Sequence, residues 1–592
     1  MKIACSIIVK DDSEINSLRK CIDSVYPFVS TVSILANGES VDKIKELCSF
    51  YPNVHFTYEK WCDDFAKMRN AGFDHLEKLG NFDYYFWLDS DDILVGGKHL
   101  QEVASMAKHQ GFDVVFLTYW YGCTFSGDPS LETLASVDVK QLRERLIRPR
   151  SIFWKSRLHE TPVPYDGAKH KYTSYPFDEK ERPIAILHTA SQDKAKESLE
   201  RNKRLLEIQL GEERAKGGAD PRTLLYLMKI YIDVGTEDEM KKCLEMGNEY
   251  LAKSGWDQER GACCIIMGRV FQQLGDDDNA LEYYYRSIKE YPHYPEAHLY
   301  IAHLYYNKKD YPKAKRWLDM ALSIELPEVS TDIVHIVKLK LMSAHLSMML
   351  AYNVDKDIEK ALEFAKIIEK EDPSVKNTEM VVFLENLNDL NKACRNTHKV
   401  INYLHSIGDD KSVENLLNVL PDAIASQQFA VNARKFIAKP RKWEDNEICY
   451  FANFGTKGLE YWDGNSLKNG IGGSETMVIH LSEQLAKMGY KVTVYGDPQK
   501  IVTINGVTYM PYYYFNKKDS FNIFIQWRHW FMVDKIKAKK IFIDLHDVFS
   551  GFDLTADCFN AVDAFLVKSE AHKKLAKGHQ IHKFIVIPNA IN

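Results

Sequence analysis

Three periodicities follow one another along the chain. From Ile3 to His188, short apolar runs alternate with amphipathic stretches. The runs Ile3–Val9, 32–35, Val54–Tyr58, 84–88, 114–119 and 184–188 are strand-like. Between them, helical patterns cover roughly 14–25 and 41–50, and a third helix opens within Trp61–Asn70. Strand–helix alternation of this kind predicts a mostly parallel, doubly wound sheet. From about Asp193 the strands stop and the apolar positions recur at helical spacing. From Glu447 the alternation resumes, with a glycine-rich turn at Gly470–Glu475, a helix carrying Val478, Leu481, Leu485 and Met488 on one face, and a strand at 491–495. Further strands are expected at 522–526, 540–545, 564–567 and 584–587. The expected domains are therefore α/β over 1–195, an all-α array over 196–437 and a second, Rossmann-like α/β domain over 441–592, with a linker at Ala438–Lys442.

The helical segment repeats itself. Gly268, Phe271, Ala280, Tyr284 and Ser287 recur 34 positions later as Ala302, Tyr305, Ala314, Leu318 and Ala321. That is the period and the small/aromatic spacing of a tetratricopeptide repeat. Pro292 and Pro327 close the two units, and Ala361, Ala365 and Pro373 keep the second-helix spacing after an insertion near 353–357. Stacked helix pairs form a concave surface that suits a peptide or protein partner. A spacer or a homodimerisation arm is the other reading.

Composition narrows the class. The chain has 592 residues, too many for one core, and a formal charge of −6 that argues against a general nucleic-acid binder. Its first residues hold too short an apolar run for a signal peptide, and no apolar run is long enough to span a bilayer. The 11 cysteines include no CxxC pair and read as reduced, buried thiols, so a cytoplasmic location is expected.

The candidate chemistry sits where the run Tyr84–Leu88 ends in Asp89-Ser90-Asp91-Asp92. Residues i and i+2 of an extended chain share a side, so Asp89 and Asp91 can offer two carboxylates at the C-terminal edge of a sheet, where open α/β folds bind ligands. Hard cations such as Mn²⁺ or Mg²⁺ take such oxygens and share them with phosphates. An acidic turn capping the next helix is the alternative and stays open on these residues alone. Lys140 to Arg157 is strongly basic, which reads either as a solvated face or as a wall that attracts an anionic ligand.

Together the motifs SIIVKDD, WCDDFAKMRN, WLDSDD and the pair His159-Glu160 resemble family 2 glycosyltransferases of the GT-A fold. The resemblance is strongest to the subgroup that continues into tetratricopeptide repeats, which includes sublancin-type peptide S-glycosyltransferases. It covers about the first 200 residues and implies a nucleotide-sugar donor, UDP-glucose or UDP-GlcNAc by preference, with a divalent metal held by the acidic pair. On that match Asp11, Asn37, Arg69, Asp89 and Asp91 bind the donor. Asp89, Asp91 and the late His188 hold the metal, and Glu160 beside His159 is the expected general base toward the acceptor in an inverting reaction. The subgroup's uracil-binding Asp is replaced here by Ala36, with Asn37 as the substitute hydrogen-bonding group.

At the other end, NGIGGSE and VIPNAIN resemble the N-terminal half of family 4 glycosyltransferases of the GT-B fold. A half of that kind is expected not to be a transferase by itself. The function expected from the whole chain is transfer of a sugar to a protein or peptide side chain held by the repeats. Transfer to a surface polysaccharide, and a non-catalytic scaffold, are the rivals.

Overall fold

The computed structural model describes residues 1–165, 169–189, 195–325, 336–452, 461–468, 470–530, 533–546, 556–576 and 581–588. Asp193, Pro327 and the closing residues 589–592 of the VIPNAIN run lie outside the described residues. The chain forms two compact units, Met1–Leu384 and Glu385–Asn592.

The first unit begins with β1 (Ile3–Val9), α1 (Ile15–Val25), β2 (Thr31–Ala36), α2 (Asp42–Ser49), β3 (Val54–Tyr58), α3 (Phe65–Leu79), β4 (Tyr84–Asp89), β5 (Asp92–Val95) and α4 (Leu100–Gln110). Then come β6 (Val114–Phe125), β7 (Leu134–Ile147), β8 (Ile152–Lys155), β9 (Thr161–Pro164), β10 (Tyr172–Tyr175) and β11 (Ala185–His188). The main sheet runs β3-β2-β1-β4-β7-β6-β11-β5, with β10 added beside β6. Its first four strands are parallel, whereas β7 runs antiparallel to β4 and β6. β8 and β9 form a separate hairpin.

Strand alternation sorts the core. Ile3, Cys5, Ile7, Tyr84, Phe86 and Leu88 face the layer built with α1, α2 and α4. Ala4, Tyr85 and Trp87 face the other way, onto Phe73 and Leu76 of α3 and Trp154 of β8. Both faces are covered, as a doubly wound sheet requires.

Among the described residues, nine helices follow that lie wholly in this unit: α5 (Ala195–Ala215), α6 (Pro221–Val234), α7 (Glu237–Lys253), α8 (Asp257–Gln273), α9 (Asp277–Glu290), α10 (Pro295–Asn307), α11 (Tyr311–Leu322), α12 (Ile336–Met349) and α13 (Ile358–Glu371); a further helix, Val375–Ser406, begins in it. Small residues let the pairs approach. A Cβ on Gly268 of α8 would lie 2.5 Å from the Tyr284 ring of α9. The expected insertion near 353–357 is absorbed as a π-helical turn, Leu350–Asp355, closed by Lys356 at φ 57°.

The helices pack against the first α/β domain. Leu158 shares a core with α5 to α8, and Trp61 and Phe65 pack against it. Farther along, the Val337 N–H of α12 donates to Asp138 of β7 at 3.1 Å.

In the second unit the described residues form a sheet of eight strands after the helix Gln428–Ile437. Its described pairings are parallel apart from one hairpin, Val502–Ile504 with Val507–Pro511. Asn505 (φ 49°) and Gly506 (φ 82°) make its turn. Gly472, not Ser474, holds the cap position of the helix Gly473–Lys487, and the Ser474 hydroxyl accepts from Arg528 at 2.8 Å. Met488, expected on that helix's apolar face, is 72% exposed.

Candidate active site

The parallel strands end level with one another. Ile8 pairs with Asp89 across β1 and β4, and Val9 with Ala36 across β1 and β2. Their C-terminal ends therefore bring Asp11, Asn37 and Asp89 to one edge. Asp11 accepts from the Ser13 backbone N–H at 2.9 Å and from its hydroxyl, capping the short turn that leads into α1. Asn37 is 8% exposed, and its side-chain amide has no partner among the described residues.

Asp89 belongs to the same face of β4 as Tyr85 and Trp87, the face that α3 covers. Arg69 lies on the buried stripe of α3 with Ala66, Gly72, Phe73 and Leu76. A guanidinium at a core-facing position needs anions, and it has two. Its Nη2 lies 3.1 Å from Asp89, and its Nε donates to Glu160. It also stacks over Trp87 at 3.8 Å.

Burial alone would raise the Glu160 carboxyl, but the charges of Arg69 and Arg143 and the Arg69 hydrogen bond outweigh it and bring it down to about 2. A carboxylate so paired has little proton affinity in this arrangement. His159 sits at φ 55° and stacks on Tyr226 of α6, ring centres 3.7 Å apart. Burial pulls its imidazole down to about 3, so it is neutral.

Among the described residues, Asp91, Asp92 and His188 form a group whose ligating atoms lie within 4.8 Å of one another. The chain turns at Ser90-Asp91, so the i, i+2 rule of an extended strand does not hold past Asp89. Asp92 opens β5 and pairs in register with His188 on β11. It is fully buried. One oxygen takes the Asp89 N–H and Arg145, the other the Tyr119 hydroxyl and His188 Nδ1, all at 3.1–3.2 Å.

Burial would lower His188, but its hydrogen bond to Asp92 and the charges of Asp91, Asp92 and Asp89 raise it to about 9. Burial, with Asp92 and Asp89 nearby, lifts Asp91 to about 6 against the pull of His188. Carboxylates with one imidazole are a donor set that Mn²⁺ and Mg²⁺ accept, so the residues fit the expected cation. Asp91 and His188 retain side-chain exposures of 23% and 14%.

The sequence does not single out Arg145 or Asp92 beyond their places in the basic run and the acidic turn. Arg145 stands in the basic run, yet its side chain is 1% exposed and lies over Trp87 at 3.7 Å, whereas Arg148 and Arg150 are 53% and 79% exposed. The run is thus part solvated face and part core. The available signal was its apolar flank, Leu142, Leu146 and Ile147, which marks the end of a buried strand.

In class, the chain is a multidomain protein of α/β sheet units and a tetratricopeptide-like helical array, with partial similarity to a glycosyltransferase. A tetratricopeptide-repeat family profile matches residues 272–327. The SPbeta prophage-derived glycosyltransferase SunS of Bacillus subtilis (strain 168) is 23% identical over 164 residues, 28% of this chain and 35% of that protein. A TPR repeat-containing protein of Methanocaldococcus jannaschii is 33% identical over 95 residues, 16% of each chain. The chain thus spans about a third or less of the length of these relatives. Among solved structures, a thermophilic TPR protein of Thermus thermophilus aligns with 17% identity and a TM-score of 0.25, over 33% of this chain and 93% of that one.

Proposed function

We propose that the chain is a metal-dependent, inverting glycosyltransferase that moves a sugar from a nucleotide-sugar, UDP-glucose or UDP-GlcNAc by preference, to a protein or peptide side chain. One observation carries this reading. Asp89, Asp91, His188 and Arg69 meet at a single sheet edge beside Asp11 and Asn37. On this proposal the first α/β domain is of GT-A type and does the chemistry. The repeats present the acceptor, and the last α/β domain is a GT-B-like half that does not transfer sugar by itself.

The residues divide the work. Asp91 and His188, with Asp89 beside them, would hold Mn²⁺ or Mg²⁺, which offsets charge on the leaving diphosphate. Asn37 offers the nucleobase an amide that both donates and accepts. The apolar walls made by Trp87 and Trp154 strengthen every charge interaction at the edge. Among the described residues no helix is long and apolar enough to cross a membrane; we propose a cytoplasmic site of action.

The test is a nucleotide-sugar panel with Mn²⁺, read as released nucleotide. Release from one donor, lost in EDTA, is expected. A folded chain that binds no nucleotide and releases none from any donor overturns the proposal.

A further inference from the structure

Glu160 is the expected base, yet its surroundings give it other work. We propose that Glu160 is a positioning residue: by sharing Arg69 with Asp89, it keeps the Asp89 carboxylate available to the donor and its cation. This rests on the function proposed above and deepens it on the donor side.

The geometry is a chain of three charges. Glu160 and Arg69 are nearly closed to solvent, with side chains 8% and 7% exposed, while Asp89 is 35% exposed. The guanidinium is fixed by the indoles of Trp87 and Trp154, at 3.8 and 5.7 Å, and cannot follow a carboxylate that moves. Arg69 is shared between two carboxylates, with Arg143 a further positive charge near Glu160, and only the Asp89 end opens outward. Without the charge of Glu160, Arg69 and Asp89 become a closed neutral pair. A cation reaching Asp89 must then displace Arg69 from it.

The segment that holds Glu160 in place is itself held by the helical array. The Arg157 N–H donates to Gln209 of α5 at 2.8 Å, and His159 stacks on Tyr226 of α6. Ser156 and His159 both take left-handed backbone conformations, at φ 83° and 55°, which α3 and the helices must impose on them. The Phe65 N–H of α3 donates to the Arg157 carbonyl at 2.9 Å and ties the loop to the start of α3. The first repeat helices thus set the position of a charge that belongs to the donor site.

The experiment is titration calorimetry of the full chain with UDP, and separately GDP, in the presence of Mn²⁺. Glu160→Gln is expected to weaken the nucleotide that wild type binds by about tenfold or more. Turnover at saturating donor should fall no further than that. Glu160→Asp, which keeps the charge, should lie between Gln and wild type.

Unchanged nucleotide affinity in Glu160→Gln with collapsed turnover overturns the inference and returns Glu160 to the role of base. A wild-type chain that binds neither nucleotide overturns the proposed function instead. If Glu160→Gln does not fold by circular dichroism, Tyr226→Leu is read in its place. It leaves all the charges and removes the ring that steadies His159. Weaker binding is expected, and unchanged binding overturns the inference.

Discussion

One indole organises the charges at the mouth of the first sheet. Trp87 carries Arg69 and Arg145 over its ring, and each guanidinium holds a different strand-end carboxylate, Asp89 or Asp92. Asp92 has no route to water, so removing its counter-charge is costly. Arg145→Met should destabilise the first unit by about 3–5 kcal/mol, seen as a lower urea midpoint. Asp91→Asn should leave the fold intact and lose Mn²⁺-dependent nucleotide binding, with turnover down roughly 100-fold or more; chelation of the metal in wild type should reproduce that loss.

At this scale the sequence was legible where a motif isolates a residue. Asp89, Asp91 and Arg69 stand out by type and spacing. Arg145 and Asp92 do not, because a buried ion pair is written in two distant segments and each half looks like surface. Glu160 stands out by its motif, but its ion pair with Arg69, 91 positions away, is not revealed by spacing alone.

The elements were read most securely where periodicity is strong. β1 to β4 lie where alternating runs put them, and the repeats show through Gly268, Ala280, Ala302 and Ala314. Gly268→Ala tests why such positions stay small. The added methyl would meet ring carbons of Tyr284 at 2.5 and 2.7 Å, and that ring is itself stacked on Tyr300. A cost of about 1–3 kcal/mol is expected in chemical denaturation, with helix content unchanged.

β7 escaped the pattern because Lys140, Arg143 and Arg145 mask its apolar positions. The hairpin at Asn505-Gly506 escaped although its turn dipeptide is a strong signal, since its first strand is only three residues long. The π-helical turn at Leu350–Asp355 could be read as an insertion but not as a shape, because extra residues can leave a helix pair as a loop or stay inside it.

At the scale of the molecule, the first sheet and the helices up to Leu384 fall in one compact unit. Ion pairs help to join them. Asp63, held at φ 58°, pairs with Arg204 of α5 at 2.7 Å, and this hydrogen bond brings its carboxyl from 3.8 down to about 2. A depressed carboxyl contributes stability that is complete above its unfolded value and is lost as pH falls through the folded one. The contribution of Asp63 should therefore fade between about pH 4 and pH 2. At 35% exposure, screening keeps it below about 1 kcal/mol. Asp63→Asn keeps the backbone conformation and should flatten that limb of the stability–pH curve.

Linear repeat arrays usually melt by fraying, because each repeat leans only on its neighbours and the terminal ones have nothing beyond them. Here α6 is stacked on the His159 loop, and α12 donates a hydrogen bond to β7 through Val337 and Asp138, 199 positions apart. One end of that stretch is held by the loop of the β8–β9 hairpin and the other by β7 of the main sheet, so both are anchored to the first α/β domain. Helices α6 to α12 are therefore expected to yield in one cooperative step with the domain that holds them, rather than to unzip from an end.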